Sequence, residues 1–136
     1  MKQNKISGFT IIELMISLAV IGITATIAVS MYRPYVLKSR RADGISAILT
    51  LQLAEERYRS SNTTYGTLAQ IGGSSASAQG YYSLAISNNT ATGFTITATG
   101  QGNQANDSES GSGCSPLTLT VSSATATRAP AACWPS

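Results

Sequence analysis

The stretch FTIIELMISLAVIGITATIAV, residues 9–29, decides how the rest of this chain is read. It holds one charged residue, Glu13. As a helix rising about 1.5 Å per residue, it is long enough to cross a hydrocarbon core about 30 Å thick. A secretory signal peptide is the competing reading, but such peptides carry an apolar core of roughly 7 to 15 residues followed by an A-x-A cleavage site. Neither feature is met, so the segment reads as a membrane helix. Lys2 and Lys5 precede it and Arg33, Lys38, Arg40 and Arg41 follow it. The positive-inside count therefore does not choose an orientation. The two cysteines and the Ser/Thr-rich tail do, because they suit an exported C-terminal part.

Glu13 is the residue this segment has to account for. A carboxylate costs about 2.5 to 3.5 kcal/mol at the centre of a membrane helix and less near an interface, so a partner is expected. Cleavage after Gly8 would place a new amino group on Phe9, one helical turn from Glu13, within or between subunits. An unpaired glutamate tolerated near the headgroups is the alternative.

Outward from this segment, 136 residues give room for one modest domain. The formal net charge is +3, and of the nine basic residues only Arg128 lies in the second half. There is no histidine, and the six carboxylates form no metal-ligand motif. An enzyme, a cofactor and a metal site are not expected. Cys114 and Cys133 suit a single disulfide better than a redox or zinc motif, and such a bridge would hold together a small core.

The string KISGFTIIELMI, residues 5–16, closely resembles the N-terminal motif of type IV pilins and pseudopilins. The resemblance implies that a prepilin peptidase cuts between Gly8 and Phe9 and methylates the new Phe9 amine. It also implies that Glu13 serves assembly by neutralising a neighbouring subunit's N-terminal amine. The partners so implied are other pilin subunits through the N-terminal helix, the prepilin peptidase and the inner-membrane assembly machinery. The chain would be a single-pass inner-membrane protein before assembly and part of an extracellular pilus afterwards. One departure concerns the second half of the apolar segment, where many pilins carry proline and this chain has Ser30, its first proline being Pro34.

The expected fold is α+β, a long N-terminal helix on a small antiparallel sheet with a C-terminal disulfide loop. The expected divisions are a leader (1–8), a membrane or filament-core helix (9–33), an amphipathic continuation (34–60), a connecting loop (61–80) and a sheet region (81–136). Pro34 predicts a kink or brief break. Ile45, Ile48, Leu49 and Leu53 make one apolar stripe, with Leu51 and Tyr58 on another side. Glu55, Glu56, Arg57 and Arg59 read as a solvated helix end. Alternation predicts strands around Tyr82 to Ile86, Phe94 to Ala98 and Leu117 to Val121, with a weaker fourth over 124–128. The polar, Gly-rich stretch 100–113 reads as a mobile connection, and Trp134 as packing on the sheet edge or the bridge.

The favoured function is a structural, minor-pilin-like subunit of a pilus used for adhesion, motility or DNA uptake. A type II secretion pseudopilin is the first alternative, disfavoured because Asp107 and Glu109 are the only carboxylates after Glu56 and calcium takes six to eight oxygen ligands. A DNA-binding competence pilin is the second. It should show a basic stripe, and the exposed half offers Arg128 alone, so nucleic acid is not expected among the partners.

Overall fold

The structure, a computed structural model, describes residues 8–135. Most of the leader, residues 1–7, lies outside the described residues. Helix α1 occupies Ile11–Arg59, and its helical residues run through Pro34 without interruption, where a brief break was one expectation. Proline removes a single backbone hydrogen bond. Here that loss falls within a 49-residue element whose flanks are rich in good helix formers.

The chain divides into two compact units, Met1–Arg33 and Pro34–Ser136. In the first, every described side chain is exposed. The second contains the sheet. Strands β1 (Tyr82–Ser87), β2 (Gly93–Gly100), β5 (Leu117–Ser122) and β6 (Thr125–Ala129) form one sheet in the order β1-β2-β5-β6. Every pairing is antiparallel, with Ile96 opposite both Ile86 and Leu119. The period-2 pattern places Tyr82, Leu84, Phe94, Ile96, Ala98, Leu117, Leu119 and Val121 in the core. Thr95 and Thr120 share a 3.3 Å hydroxyl contact at an exposed cross-strand pair.

Against the apolar face lies the stripe Arg41, Gly44, Ile48, Leu51 and Glu55 of α1. Its spacing keeps to one side of a 3.6-residue helix. Ile48 and Leu51 join the strands in a single buried cluster, each such side chain stabilising the fold by about 1.5 to 3 kcal/mol. Leu49 and Leu53 point away, at 43% and 52% exposure. The stripe read from the sequence is thus split: Ile48 is buried together with Leu51, which was placed on another side, while Leu49 and Leu53 stand open.

Two local readings are corrected. The stretch after β2 is ordered, with a 3-10 turn at Gly102–Asn106 followed by the paired strands β3 (Ser108–Glu109) and β4 (Ser112–Gly113). Glu55 is fully buried rather than part of a solvated end. It accepts the Gly66 N–H at 2.8 Å and a longer bond from the Asn89 amide, so it holds the start of the connecting loop and the β1–β2 turn to the helix. That burial pushes its carboxyl above the ordinary 4.5, against the lowering effect of the Gly66 bond.

Candidate functional site

The N-terminus of α1 begins with a reciprocal pair. Glu13 Oε2 accepts from the Thr10 backbone N–H and from the Thr10 hydroxyl, both at 2.9 Å, while the Glu13 N–H donates to Thr10 Oγ1 at 3.3 Å. This is the capping box expected of Thr-x-x-Glu at a helix start, and it satisfies amide donors that have no partner inside the helix. The motif was present in the sequence at residues 10–13. Sequence reasoning offered Glu13 either the Phe9 amine or no partner, and passed over Thr10. Phe9 is 83% exposed, and in the uncut chain its nitrogen belongs to a peptide bond with Gly8.

The remaining side-chain hydroxyls of the apolar segment also bond within the helix. Ser17 donates to the Glu13 carbonyl, Thr24 to those of Val20 and Ile21, Thr26 to that of Ile23, and Ser30 to that of Ile27, over 2.7 to 3.0 Å. The segment therefore presents aliphatic side chains outward and requires no external partner for these hydroxyls, as a lipid or protein interior demands.

In the second unit, Arg41 is the organising charge. Its Nε donates to Asp107 Oδ2 at 2.6 Å and its Nη2 to Asp107 Oδ1 at 2.8 Å, a bidentate pair with side chains 5% and 1% exposed. Nη1 reaches Glu109 at 3.0 Å, and Lys38 binds the other Glu109 oxygen at the same distance. The Asp107 bonds hold Arg41 protonated above its ordinary range, while Lys38 and then Arg41 hold the Glu109 carboxyl below 4.5. Gln104 completes the cluster by donating to the Leu37 carbonyl and to the Tyr82 hydroxyl, both at 2.9 Å.

These residues lie more than sixty positions apart, so nothing in the sequence paired them. The available signal was that two of the six carboxylates stand in a tail otherwise without charge until Arg128. The basic residues that follow the apolar segment are largely engaged. Arg41 is buried, Lys38 is bridged, and Arg40 lies over the Tyr81 ring at 4.5 Å.

Cys114 and Cys133 are joined, with a Cα–Cα distance of 5.6 Å, across a separation of 19 residues that encloses β5 and β6. Trp134 follows, half-buried, its indole N–H directed to the Ala129 carbonyl of β6 at 3.4 Å and its ring facing the Arg128 guanidinium at 5.4 Å. It packs at the sheet edge, as its place after the cysteine suggested.

Comparison with known proteins follows this division of the chain. A family model described as the prokaryotic N-terminal methylation motif matches residues 3–29. A second, described as type IV minor pilin ComP, DNA uptake sequence receptor, matches residues 30–118. The chain is similar to the type IV major fimbrial protein FimA of Dichelobacter nodosus, with 46% identity over 50 residues for one variant. That match takes in 35% of this chain and 31% of the relative. Another FimA variant is 35% identical over 85 residues, which is 61% of this chain and 52% of the relative. A fimbrial protein of Pseudomonas aeruginosa is 43% identical over 56 residues, 41% of this chain and 35% of the relative. The chain thus spans between about a third and about a half of the length of these curated relatives. The minor-pilin model takes in well over half of this chain, and the helix, antiparallel sheet and terminal disulfide agree with it; the chain belongs to the type IV pilin family.

Proposed function

We propose that this protein is a minor structural subunit of a type IV pilus, assembled through its N-terminal helix. A type IV pilin is anchored by that helix in the inner membrane before it enters an extracellular filament. The observation that carries the assignment is the combination in residues 8–33 of an exposed aliphatic helix, internally bonded hydroxyls and one carboxylate at its start. In this reading the peptidase cuts between Gly8 and Phe9, and Phe9 is methylated on its new amine. Glu13 then exchanges its Thr10 bonds for an amine of its own or a neighbouring subunit. The methylation-motif match over residues 3–29 supports the first two steps.

The experiment is mass spectrometry of sheared filaments from cells expressing the chain beside normal pilus machinery. The expected result is a mature chain beginning at methylated Phe9, with Glu13→Gln present in the inner membrane but depleted from filaments. A mature N-terminus at Met1, or normal incorporation of Glu13→Gln, would overturn the corresponding role.

A second reading, DNA binding by the assembled subunit, is favoured by one observation, the description of the family model over residues 30–118 as a DNA uptake sequence receptor. From the sequence it stood as the second alternative, disfavoured for want of a basic stripe. With Arg41 buried and Lys38 bridged, the cations open to phosphate include Arg57 and Arg128. Gel-shift titration of the full mature chain at two salt concentrations tests it, and binding that falls with salt would support it.

A further inference from the structure

The polar side chains of the first unit fall into two sets. From Ser17 to Ser30 every hydroxyl donates to a carbonyl of its own helix. Tyr32 and Arg33, the next polar residues, do not. Tyr32 is 67% exposed, Arg33 is exposed too, and among the described residues neither side chain has a hydrogen-bonding or ionic partner. Of the basic cluster read from the sequence, Lys38 and Arg41 pair with carboxylates and Arg40 lies over Tyr81. Arg33 retains its charge without such an arrangement. Tyr32 lies nineteen positions beyond Glu13, about 28 Å at ~1.5 Å per residue, close to the ~30 Å hydrocarbon thickness.

We propose that Tyr32 and Arg33 are a phospholipid-headgroup contact that fixes the depth of the subunit in the membrane before assembly, and so holds Glu13 in the opposite headgroup layer. The proposal rests on the pilin reading only in that the helix is bilayer-held before it enters a filament. Tyr32 offers an apolar ring and a wet hydroxyl, the combination that places tyrosine at membrane interfaces. Arg33 offers a planar fork that bonds two oxygens of one phosphate. The aliphatic run of residues 9–29 ends just before them, and Pro34 follows at once. With both residues in the outer headgroups, the Glu13 carboxylate and its Thr10 bonds lie where water reaches them. A subunit drawn one turn outward would carry Glu13 into hydrocarbon, and one sunk a turn deeper would push apolar residues beside Glu13 into water.

The test uses the full chain in vesicles of phosphatidylethanolamine and phosphatidylglycerol, with the Cys114–Cys133 bridge left oxidised. Single cysteines are placed in turn along 24–38, omitting 32 and 33, and labelled with a membrane-impermeant maleimide. The expected boundary has protection through Val29 and labelling from Pro34 onward. In the Tyr32→Ala, Arg33→Ala double variant the protected region moves toward Lys38 by about one helical turn, roughly four residues. Tyr32→Trp with Arg33 retained keeps the original boundary.

A wild-type boundary a turn or more before Tyr32, or one unmoved in the double variant, overturns the proposal. Failure here with the chain present in sheared filaments removes the belt alone. A correct boundary with the chain absent from filaments removes the pilus reading and leaves the belt.

Discussion

At Gly44 two requirements of a helix pull in opposite directions. Glycine in a helix interior is about 1 kcal/mol poorer than alanine, so its presence mid-helix needs a packing reason. The reason is Tyr82, whose ring would lie 2.8 Å from a Cβ at this position. Tyr82 is fully buried and its hydroxyl is bonded to Gln104, so the ring has little room to withdraw. Overpacking typically costs about 1 to 3 kcal/mol, which outweighs the gain in propensity. Gly44→Ala is therefore expected to lower the thermal midpoint by several degrees. Combining it with Tyr82→Leu should cost less than the sum of the two single changes, a coupling that a double-mutant cycle of denaturant midpoints measures. Additive losses would mean that the helix–sheet approach at Gly44 does not depend on the ring.

At the scale of elements, the segment from the 3-10 turn through β4 is held by charge more than by apolar burial. Its paired strands are two residues each, and its sequence is Ser-, Gly- and Asn-rich. What orders it is Arg41, which binds Asp107 and Glu109, with Cys114 immediately beyond in the disulfide. Removing one partner of a buried ion pair leaves the other uncompensated, at about 3 to 5 kcal/mol. Arg41→Met should thus expose the amides of residues 102–113 to faster hydrogen exchange before those of β2 or β5.

Acid should act on the same element. The Glu109 carboxyl is held below its ordinary 4.5, so the stability it contributes is present above that value and lost as pH falls through its depressed pKa. Glu55 works in the opposite sense. Its raised pKa makes its contribution largest below 4.5 and lost as pH rises through the raised value. In Glu109→Gln the acid-side decline in thermal midpoint should flatten, and in Glu55→Gln the decline on the alkaline side of 4.5 should flatten.

These elements also mark where the sequence was readable. The strands were visible because one face is buried and the other wet, which writes a period of two into Tyr82 to Ile86, Phe94 to Ala98 and Leu117 to Val121. The methylation motif was visible because its residues are local. Arg41 with Asp107, and Glu55 with Gly66, were not, because a buried charge is recognised by a partner brought near only by folding. Residues 100–113 looked like a loose linker for the same reason.

Across the whole molecule, the side chains that bind the sheet and the apolar side chains left open occupy different faces of one helix. Ile48 and Leu51, 0% and 4% exposed, bind the sheet, whereas Leu49 and Leu53 stand open beside Ala42, Ile45 and Pro135. Scattered exposed leucines need no explanation, but here Leu49 and Leu53 continue, at i+4 and i+8, a row that begins at the half-buried Ile45. In a filament subunit such a row is suited to packing on another subunit.

Folding and incorporation should therefore separate on substitution. Leu53→Glu places its charge in water and should leave the thermal midpoint within a few degrees of the parent, while its ratio of filament to membrane subunit falls. Leu51→Glu buries an unpaired carboxylate and should destabilise the domain by several kcal/mol, depleting the subunit from membrane and filament alike. Quantifying both variants in inner membranes and in sheared filaments, alongside circular dichroism of the detergent-solubilised chains, distinguishes the two effects. Normal incorporation of Leu53→Glu would mean that the open face meets only solvent and that assembly draws on the apolar segment before Tyr32 alone.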